Sequence, residues 1–108
     1  MKFFKKLYLD PDLKKVDKVL EKLHKEDYSP KVSLLFIRKK QDEFVIEVMD
    51  SKYLRRDFVE TGNLKVFGVA CDKDGAFLLL KDLAKAAYHK EGKVDLISFL
   101  LEEEGDQQ

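Results

Sequence analysis

Cys71, the one cysteine of the chain, is the residue with the clearest capacity for chemistry. It ends a predicted strand just before a predicted helix, and the positive end of a helix dipole can lower the pKa of a thiol and make it a nucleophile. No histidine or asparagine is visibly arranged in the sequence as its base, and free cysteines commonly pack as small buried hydrophobic residues. Cys71 is therefore a weak candidate for thiol chemistry or small-molecule binding, and we assign no catalytic residue.

A second candidate group combines an aromatic ring with basic side chains: Tyr53, Arg55 and Arg56. Single-stranded nucleic acid can stack on such a ring while its phosphates contact the arginines. However, Asp57 and Glu60 follow directly, and arginines next to acidic residues commonly form surface ion pairs. A dedicated nucleic-acid binder normally has a basic domain, so this function is an alternative that the composition does not favour.

The sequence contains no pattern that predicts a metal or cofactor site. His24 and His89 fall near the ends of separate predicted helices, without the spacing of a zinc motif. The run Asp72-Lys73-Asp74-Gly75 has its glycine at position four, whereas a calcium-binding EF-hand loop has it at position six. Capping of the next helix explains these aspartates, and we predict no metal, no cofactor and no cofactor-binding residue.

The charges of the chain balance overall but not along its length. Of 108 residues, 44% are hydrophobic and 39% charged, which indicates a folded core under a charged surface. Residues 1–40 hold twelve basic and six acidic side chains, net +6, and residues 41–108 hold nine and fifteen, net −6. Opposite halves can join two copies head to tail, or their charges can cancel within one fold.

We expect a cytoplasmic protein that does not span a membrane. The opening MKFFKK lacks the apolar stretch of a signal peptide, and no run approaches the roughly 20 apolar residues of a membrane span. A single cysteine also excludes an intramolecular disulfide framework, as is typical of the reducing cytoplasm.

Hydrophobic periodicity predicts the elements that position these residues. Asp10 as N-cap and Pro11 at the first helical position predict a helix that starts there and ends near His24. Further helices are predicted over residues 75–89 and 95–104, and strands over residues 3–9, 32–37, 44–49 and 64–71. The strand at 32–37 is apolar on both faces and should be central, while Lys2 to Lys6 suit an edge strand.

This order predicts an α+β fold with a mostly antiparallel sheet of three to four strands. Two main helices pack chiefly on one face of the sheet, and a short helix follows at the C-terminus. We expect one domain over residues 1–104 and a frayed tail over residues 105–108.

The chain also resembles a family of small uncharacterised bacterial proteins of about 100 residues. The resemblance rests on MKFFKKLYLDPDLKK, on Tyr53-Leu54-Arg55-Arg56, and on the passage from Val66-Phe67-Gly68-Val69-Ala70 to Val94-Asp95-Leu96-Ile97-Ser98-Phe99-Leu100. It implies a compact bacterial cytoplasmic domain and supplies no catalytic residue, activity or cofactor.

With no assembled catalytic group, the sequence favours a non-enzymatic domain that binds another protein or a second copy of itself as a homodimer. The first alternative is a small-molecule binding or thiol-dependent protein built around Cys71. The second is a weak nucleic-acid binder that uses Tyr53, Arg55 and Arg56.

Overall fold

The computed structural model of the chain describes residues 2–55, 64–91 and 95–105. Within them, the chain forms the elements β1 (Lys2–Leu9), α1 (Val16–His24), β2 (Ser33–Lys40), β3 (Glu43–Asp50), α2 (Ser51–Arg55), β4 (Leu64–Ala70), α3 (Lys73–Glu91) and α4 (Leu96–Glu104).

The four strands form one sheet in the order β1-β4-β2-β3. β2 is antiparallel to both of its neighbours, β3 and β4, and β1 runs parallel to β4. The predicted α+β fold with a mostly antiparallel sheet is therefore confirmed. β2 is a central strand and β1 an edge strand, as the apolar run in the first and the lysines in the second predict.

Helices cover both faces of the sheet. Leu35 and Ile37 of β2 point into a core that α3 and α4 complete, whereas Leu34 and Phe36 point into a second core with α1 and Leu54 of α2. The expected packing chiefly on one face thus holds for α3 and α4 but not for α1. The reason is that β2 and β4 are apolar on both faces, so each face needs a cover to exclude water.

The first helix begins later than predicted. Residues 11–15 are not helical, and Lys15 at the N-cap position has a φ of 52° in the left-handed region. The backbone N–H of Leu13 donates to the carbonyl of Asp10 over 3.0 Å, which closes a turn instead of a helical start. Asp10 cannot cap α1 because its side chain is bound elsewhere, as described below.

β2 and β3 form a hairpin, in continuous register from Ser33 opposite Asp50 to Lys40 opposite Glu43. Gln41 and Asp42 make the two-residue connection, with Gln41 at a φ of 53°. All four residues of this turn, 40–43, are exposed. We refer to it as the hairpin end of the sheet.

The parallel pair β1–β4 is irregular at Gly68. Phe3 lies opposite Val66 and Tyr8 opposite Gly68, so β1 uses more residues than β4 over this stretch. A Cβ atom on Gly68 would lie 3.2 Å from the carbonyl oxygen of Tyr8 and 3.3 Å from Leu35 Cδ1. Gly68 therefore lies where the register shifts and where the neighbouring chain approaches too closely for a side chain.

Candidate functional site at the Asp10 end of the sheet

Asp10 lies where β1 ends and is buried, with 6% of its surface exposed. Its Oδ1 accepts a hydrogen bond from the Asp12 N–H over 3.0 Å. Its Oδ2 accepts two more over 3.1 Å each, from the Cys71 N–H and the Cys71 thiol. The N–H of Asp10 donates to the carbonyl of Val69 over 3.0 Å. Asp10 therefore ties the end of β1 to the end of β4, which satisfies a carboxylate that would otherwise be costly to bury.

The same carboxylate lies against the first turn of α3. A Cβ atom on Gly75 would fall well inside van der Waals contact with Asp10 Oδ2, so this position requires glycine. The Gly75 N–H donates to Asp72 Oδ1 over 2.8 Å, so of the two aspartates predicted as possible caps, Asp72 caps this helix. The N-terminus of α3 thus already interacts with two carboxylates of the chain itself.

The environment of Cys71 raises the pKa of its thiol to about 11, from an ordinary value of 9.0. The hydrogen bond to Asp10 is the largest cause, followed by desolvation and by the charges of Asp10, Asp72 and Asp12. The pKa of Asp10 is lowered, first by the Asp12 N–H and then by the Cys71 thiol. The helix position had suggested a lowered thiol pKa; the direction is the opposite, because an adjacent carboxylate disfavours the thiolate. Cys71 is therefore a protonated thiol at neutral pH.

Cys71 also lines two clefts at this end of the sheet. The larger has a volume of about 420 Å³, and we call it the lysine cleft; its lining residues are Lys31, Val32, Ser33, Asp50, Ser51, Lys52, Cys71, Asp72 and Lys73. The second, of about 330 Å³, shares Lys31, Val32 and Cys71 with it. Both volumes fall in the range of small-molecule sites in proteins.

Hydrogen bonds from buried serines fix the backbone around the lysine cleft. Ser51, 1% exposed, donates its hydroxyl to the Pro30 carbonyl over 2.6 Å and accepts from the Val32 N–H over 3.4 Å. The hydroxyl of Ser33, which is fully buried, donates to Asp50 Oδ1 over 2.8 Å. These contacts hold the start of β2 against the end of β3, so the walls of the cleft are preformed.

The nucleic-acid candidates are described only in part. Tyr53 is 40% exposed, and the Lys52 ammonium lies 5.2 Å from its ring centroid. The side chain of Arg55 and the whole of Arg56 lie outside the described residues. Stacking on Tyr53 is therefore sterically open, and the contribution of the arginines stays a prediction.

The histidines do not converge. The His24 ring packs on Phe3 with 4.3 Å between ring centroids, and the His89 ring contacts Tyr88 at 5.9 Å. Across residues 2–55, 64–91 and 95–105, no group of three or more His, Cys, Asp or Glu side chains is arranged to hold a metal ion.

Sequence reasoning identified Cys71 but missed its partner Asp10 and the three lysines around the cleft. Asp10 and Cys71 meet because β1 and β4 are parallel neighbours, so the residues after both strands lie at the same end of the sheet. Lys31, before β2, and Lys52, after β3, reach this end because β2 is antiparallel to both β3 and β4. An aspartate directly after a predicted strand can indicate such a site. Asp10 also fits the pattern of a helix N-cap, however, and the sequence alone favours that interpretation.

Comparison of the chain with protein-family models, with curated proteins and with solved structures gives no match. The resemblance to small bacterial proteins therefore stays a prediction. No helix in the described part of the chain combines the length and the apolar character needed to cross a membrane.

Proposed function

We propose that this chain is a non-enzymatic domain that self-associates through the outer side of α3. The observation that carries the proposal is the exposure of three large apolar side chains on this one helix. Phe77 is 56% exposed, Leu78 62% and Tyr88 57%. Several large apolar side chains exposed on one helix are typical of interaction sites, whereas single exposed apolar residues are ordinary.

Two of these residues, Phe77 and Tyr88, lie on the same side of α3, whereas Leu78 lies about 100° from Phe77 around the helix. Phe77, Ala84 and Tyr88 fall within about 40° of one another around the helix, at 100° per residue. Lys81 lies beside them, and we call these four residues the α3 stripe. Ala76, Leu83 and Ala87 form a different side of the same helix and are buried against the sheet. The α3 stripe therefore has no role in the core of one copy.

A second copy of the chain fits this stripe. Phe77 and Tyr88 are separated by roughly 16 Å along the helix axis. In an antiparallel pair of α3 helices related by a twofold axis, Phe77 of each copy would meet Tyr88 of the other. Ala84 near the centre would allow close approach, and the chain has no net charge to keep two copies apart.

The sheet edges are less suited to self-association. On the β1 edge, the Lys5 N–H already donates to Glu104 Oε1 of α4 over 2.8 Å. On the β3 edge, Glu43 and Asp50 lie at opposite ends of the strand, so an antiparallel pair of β3 strands would place these like charges close together, while Glu47 is already paired with Arg38 at 2.7 Å. The helical stripe avoids both difficulties.

The test is the solution mass by light scattering over a series of protein concentrations, at low and high salt. One helix pair buries less than the roughly 800 Å² per partner of a standard interface, so we expect a weak dimer with a Kd of about 10 to 100 µM. Phe77→Glu should leave a monomer at all these concentrations. The dimer should persist at high salt, because its contacts are apolar.

Phe44→Glu is the matched control, since Phe44 is a similarly exposed aromatic residue (43%) on β3. This variant should dimerise like the wild type. A wild-type chain that stays monomeric throughout would contradict the proposal, as would a dimer lost with Phe44→Glu but kept with Phe77→Glu. A dimer that salt dissociates would instead favour head-to-tail attraction between the oppositely charged chain halves.

The bacterial origin, the cytoplasmic location and the extent of one domain over residues 1–104 belong to the same proposal. The two cores share the central strand β2, which supports a single cooperative unit. Gly105, at the start of the expected tail, closes α4 with a φ of 76° and an N–H donated to Glu102; residues 106–108 lie outside the described residues.

A further inference from the structure

We infer that the lysine cleft binds a small organic anion, with its phosphate or carboxylate group on the lysine side chains and its apolar part over Val32 and Cys71. This site is distinct from the α3 stripe and does not depend on self-association. The inference rests on three observations: the chain path that opens the cleft, the lysines around it that form no ion pair within the described residues, and the hydrogen bonds that its carboxylates already accept.

The first observation is how the chain leaves the sheet at this end. β3 and β4 point in the same direction, because β2 is antiparallel to both. After β4 the chain continues into α3 on one face, and after β3 it continues into α2, whose Leu54 packs on the other face. Because the two chain paths diverge to opposite faces beyond the ends of β3 and β4, on either side of β2, a crevice opens at this end of the sheet.

The second observation concerns the cations. Lys31, Lys52 and Lys73 come from three separate segments and line one cleft. None of the three forms an ion pair within 4.0 Å with a carboxylate of the described residues. By contrast, Lys65 pairs with Glu104 at 3.0 Å and Lys25 with Glu21 at 3.0 Å. The cleft therefore combines a preformed wall with three lysines that form no ion pair within the described residues, and the Lys52 ammonium also lies 5.2 Å from the Tyr53 ring centroid.

The third observation concerns the anions. Asp50 accepts the hydroxyl of Ser33, and Asp72 accepts the N–H of Gly75 as a helix cap. Asp10, next to the cleft, accepts three donors. Hydrogen bonds within the protein hold all three carboxylates, and Asp72 accepts its bond from an N–H of the first turn of α3. The lining of the cleft carries three lysines and two aspartates, a net charge of +1. An incoming anion would be bound by the lysines rather than by the helix end.

The experiment is an NMR titration of the 15N-labelled chain with phenyl phosphate, with benzyl alcohol as the uncharged analogue and inorganic phosphate as the headgroup alone. We expect saturable shifts for backbone amides of residues 31–33, 50–52 and 71–73. Phenyl phosphate should bind more tightly than either partial probe, because it uses both the lysines and the apolar wall. Its affinity should fall as salt is added.

Single variants Lys31→Gln, Lys52→Gln and Lys73→Gln should each weaken phenyl phosphate roughly threefold, the effect of one exposed charge contact. Lys40→Gln at the hairpin end is the matched control and should leave the affinity unchanged. These lysines are exposed, so the variants should fold, and the same spectra report that directly.

Absence of saturable shifts with phenyl phosphate would overturn the inference. So would equal affinity for benzyl alcohol, shifts centred on the α3 stripe, or a triple lysine variant that binds as tightly as Lys40→Gln. Repeating the titration in Phe77→Glu separates the two proposals, because the cleft should bind equally well in a chain that no longer dimerises. Stronger binding of inorganic phosphate than of phenyl phosphate would contradict the role of the apolar wall.

Discussion

The two ends of the sheet differ in whether their polar residues are buried or exposed. The buried polar residues identified in the described part of the chain are Asp10, Ser33 and Ser51, and all three lie at the end where β1, β3 and β4 finish. At the hairpin end, by contrast, residues 40–43 are exposed. Desolvated polar groups hold their positions only where hydrogen bonds satisfy them. The Asp10 end is therefore the rigid end of the molecule, where hydrogen bonds hold buried polar groups in place. The hairpin end serves mainly to reverse the chain.

The two ends of the sheet also differ in whether they offer a cleft for a ligand. Two clefts meet at Cys71 at the Asp10 end, and the walls of the larger are fixed by Ser51 and Ser33. A preformed site of this kind loses little conformational entropy on binding. The hairpin end offers exposed charges without a comparable set of internal hydrogen bonds. If this contrast is correct, equal substitutions at the two ends should have unequal effects.

The largest expected effect is that of Asp10→Ala. This variant removes the acceptor of the Asp12 N–H, the Cys71 N–H and the Cys71 thiol, and leaves donors unsatisfied near the core. We expect a loss of about 3 kcal/mol in the free energy of unfolding. The matched control, Asp42→Ala at the exposed hairpin turn, should change it by less than about 0.5 kcal/mol. Urea denaturation of both variants measures the difference, and similar losses would refute the contrast between the two ends.

Gly75→Ala should have the next largest effect. The new methyl group would displace the Asp10 carboxylate from its hydrogen bonds, and we expect a loss of about 2 kcal/mol after the better helix propensity of alanine is included. The double variant Asp10→Ala with Gly75→Ala tests this cause. Without the carboxylate, alanine at position 75 should instead stabilise the chain by about 0.5 kcal/mol relative to Asp10→Ala alone. A loss of equal size in both backgrounds would place the clash elsewhere.

Much of the fold follows from local sequence signals. The apolar run of β2 predicts a central strand, the lysines of β1 predict an edge, and Asp72 predicts the cap of α3; the structure confirms all three. Each of these signals comes from residues that are neighbours in the sequence, or from a run of apolar residues that indicates a buried strand. Periodicity alone could not decide on which face α1 packs, because an apolar stripe does not identify its partner surface.

The candidate site shows why the rest was missed. Asp10 combines two features of a good N-cap, its residue type and a following proline, yet its carboxylate binds Cys71, 61 residues away in sequence. Such a contact depends on the parallel pairing of β1 with β4, for which the sequence has no local signal. The same missing information led to the wrong direction for the Cys71 pKa. The helix dipole could be anticipated from the chain, whereas the carboxylate that outweighs it could not.

The smallest expected effect is confined to alkaline pH and again belongs to the Asp10 end. Because the pKa of Cys71 in the folded chain is raised to about 11, the unfolded chain loses the thiol proton first, near its ordinary value of 9.0. The stabilisation from the protonated thiol should be fully present below pH 9 and should be lost as the pH rises from 9 to 11. Cys71→Ser keeps a donor for Asp10 but does not ionise in this range. Urea denaturation from pH 7 to 11 measures the unfolding free energy of wild type and of Cys71→Ser. Above pH 9 the wild type should lose stability relative to Cys71→Ser. The contributions of tyrosines and lysines are the same in both chains and cancel in the difference. A difference that stays constant over this range would mean that the Asp10 carboxylate does not hold the thiol proton, and would weaken the assignment of this end as the rigid one.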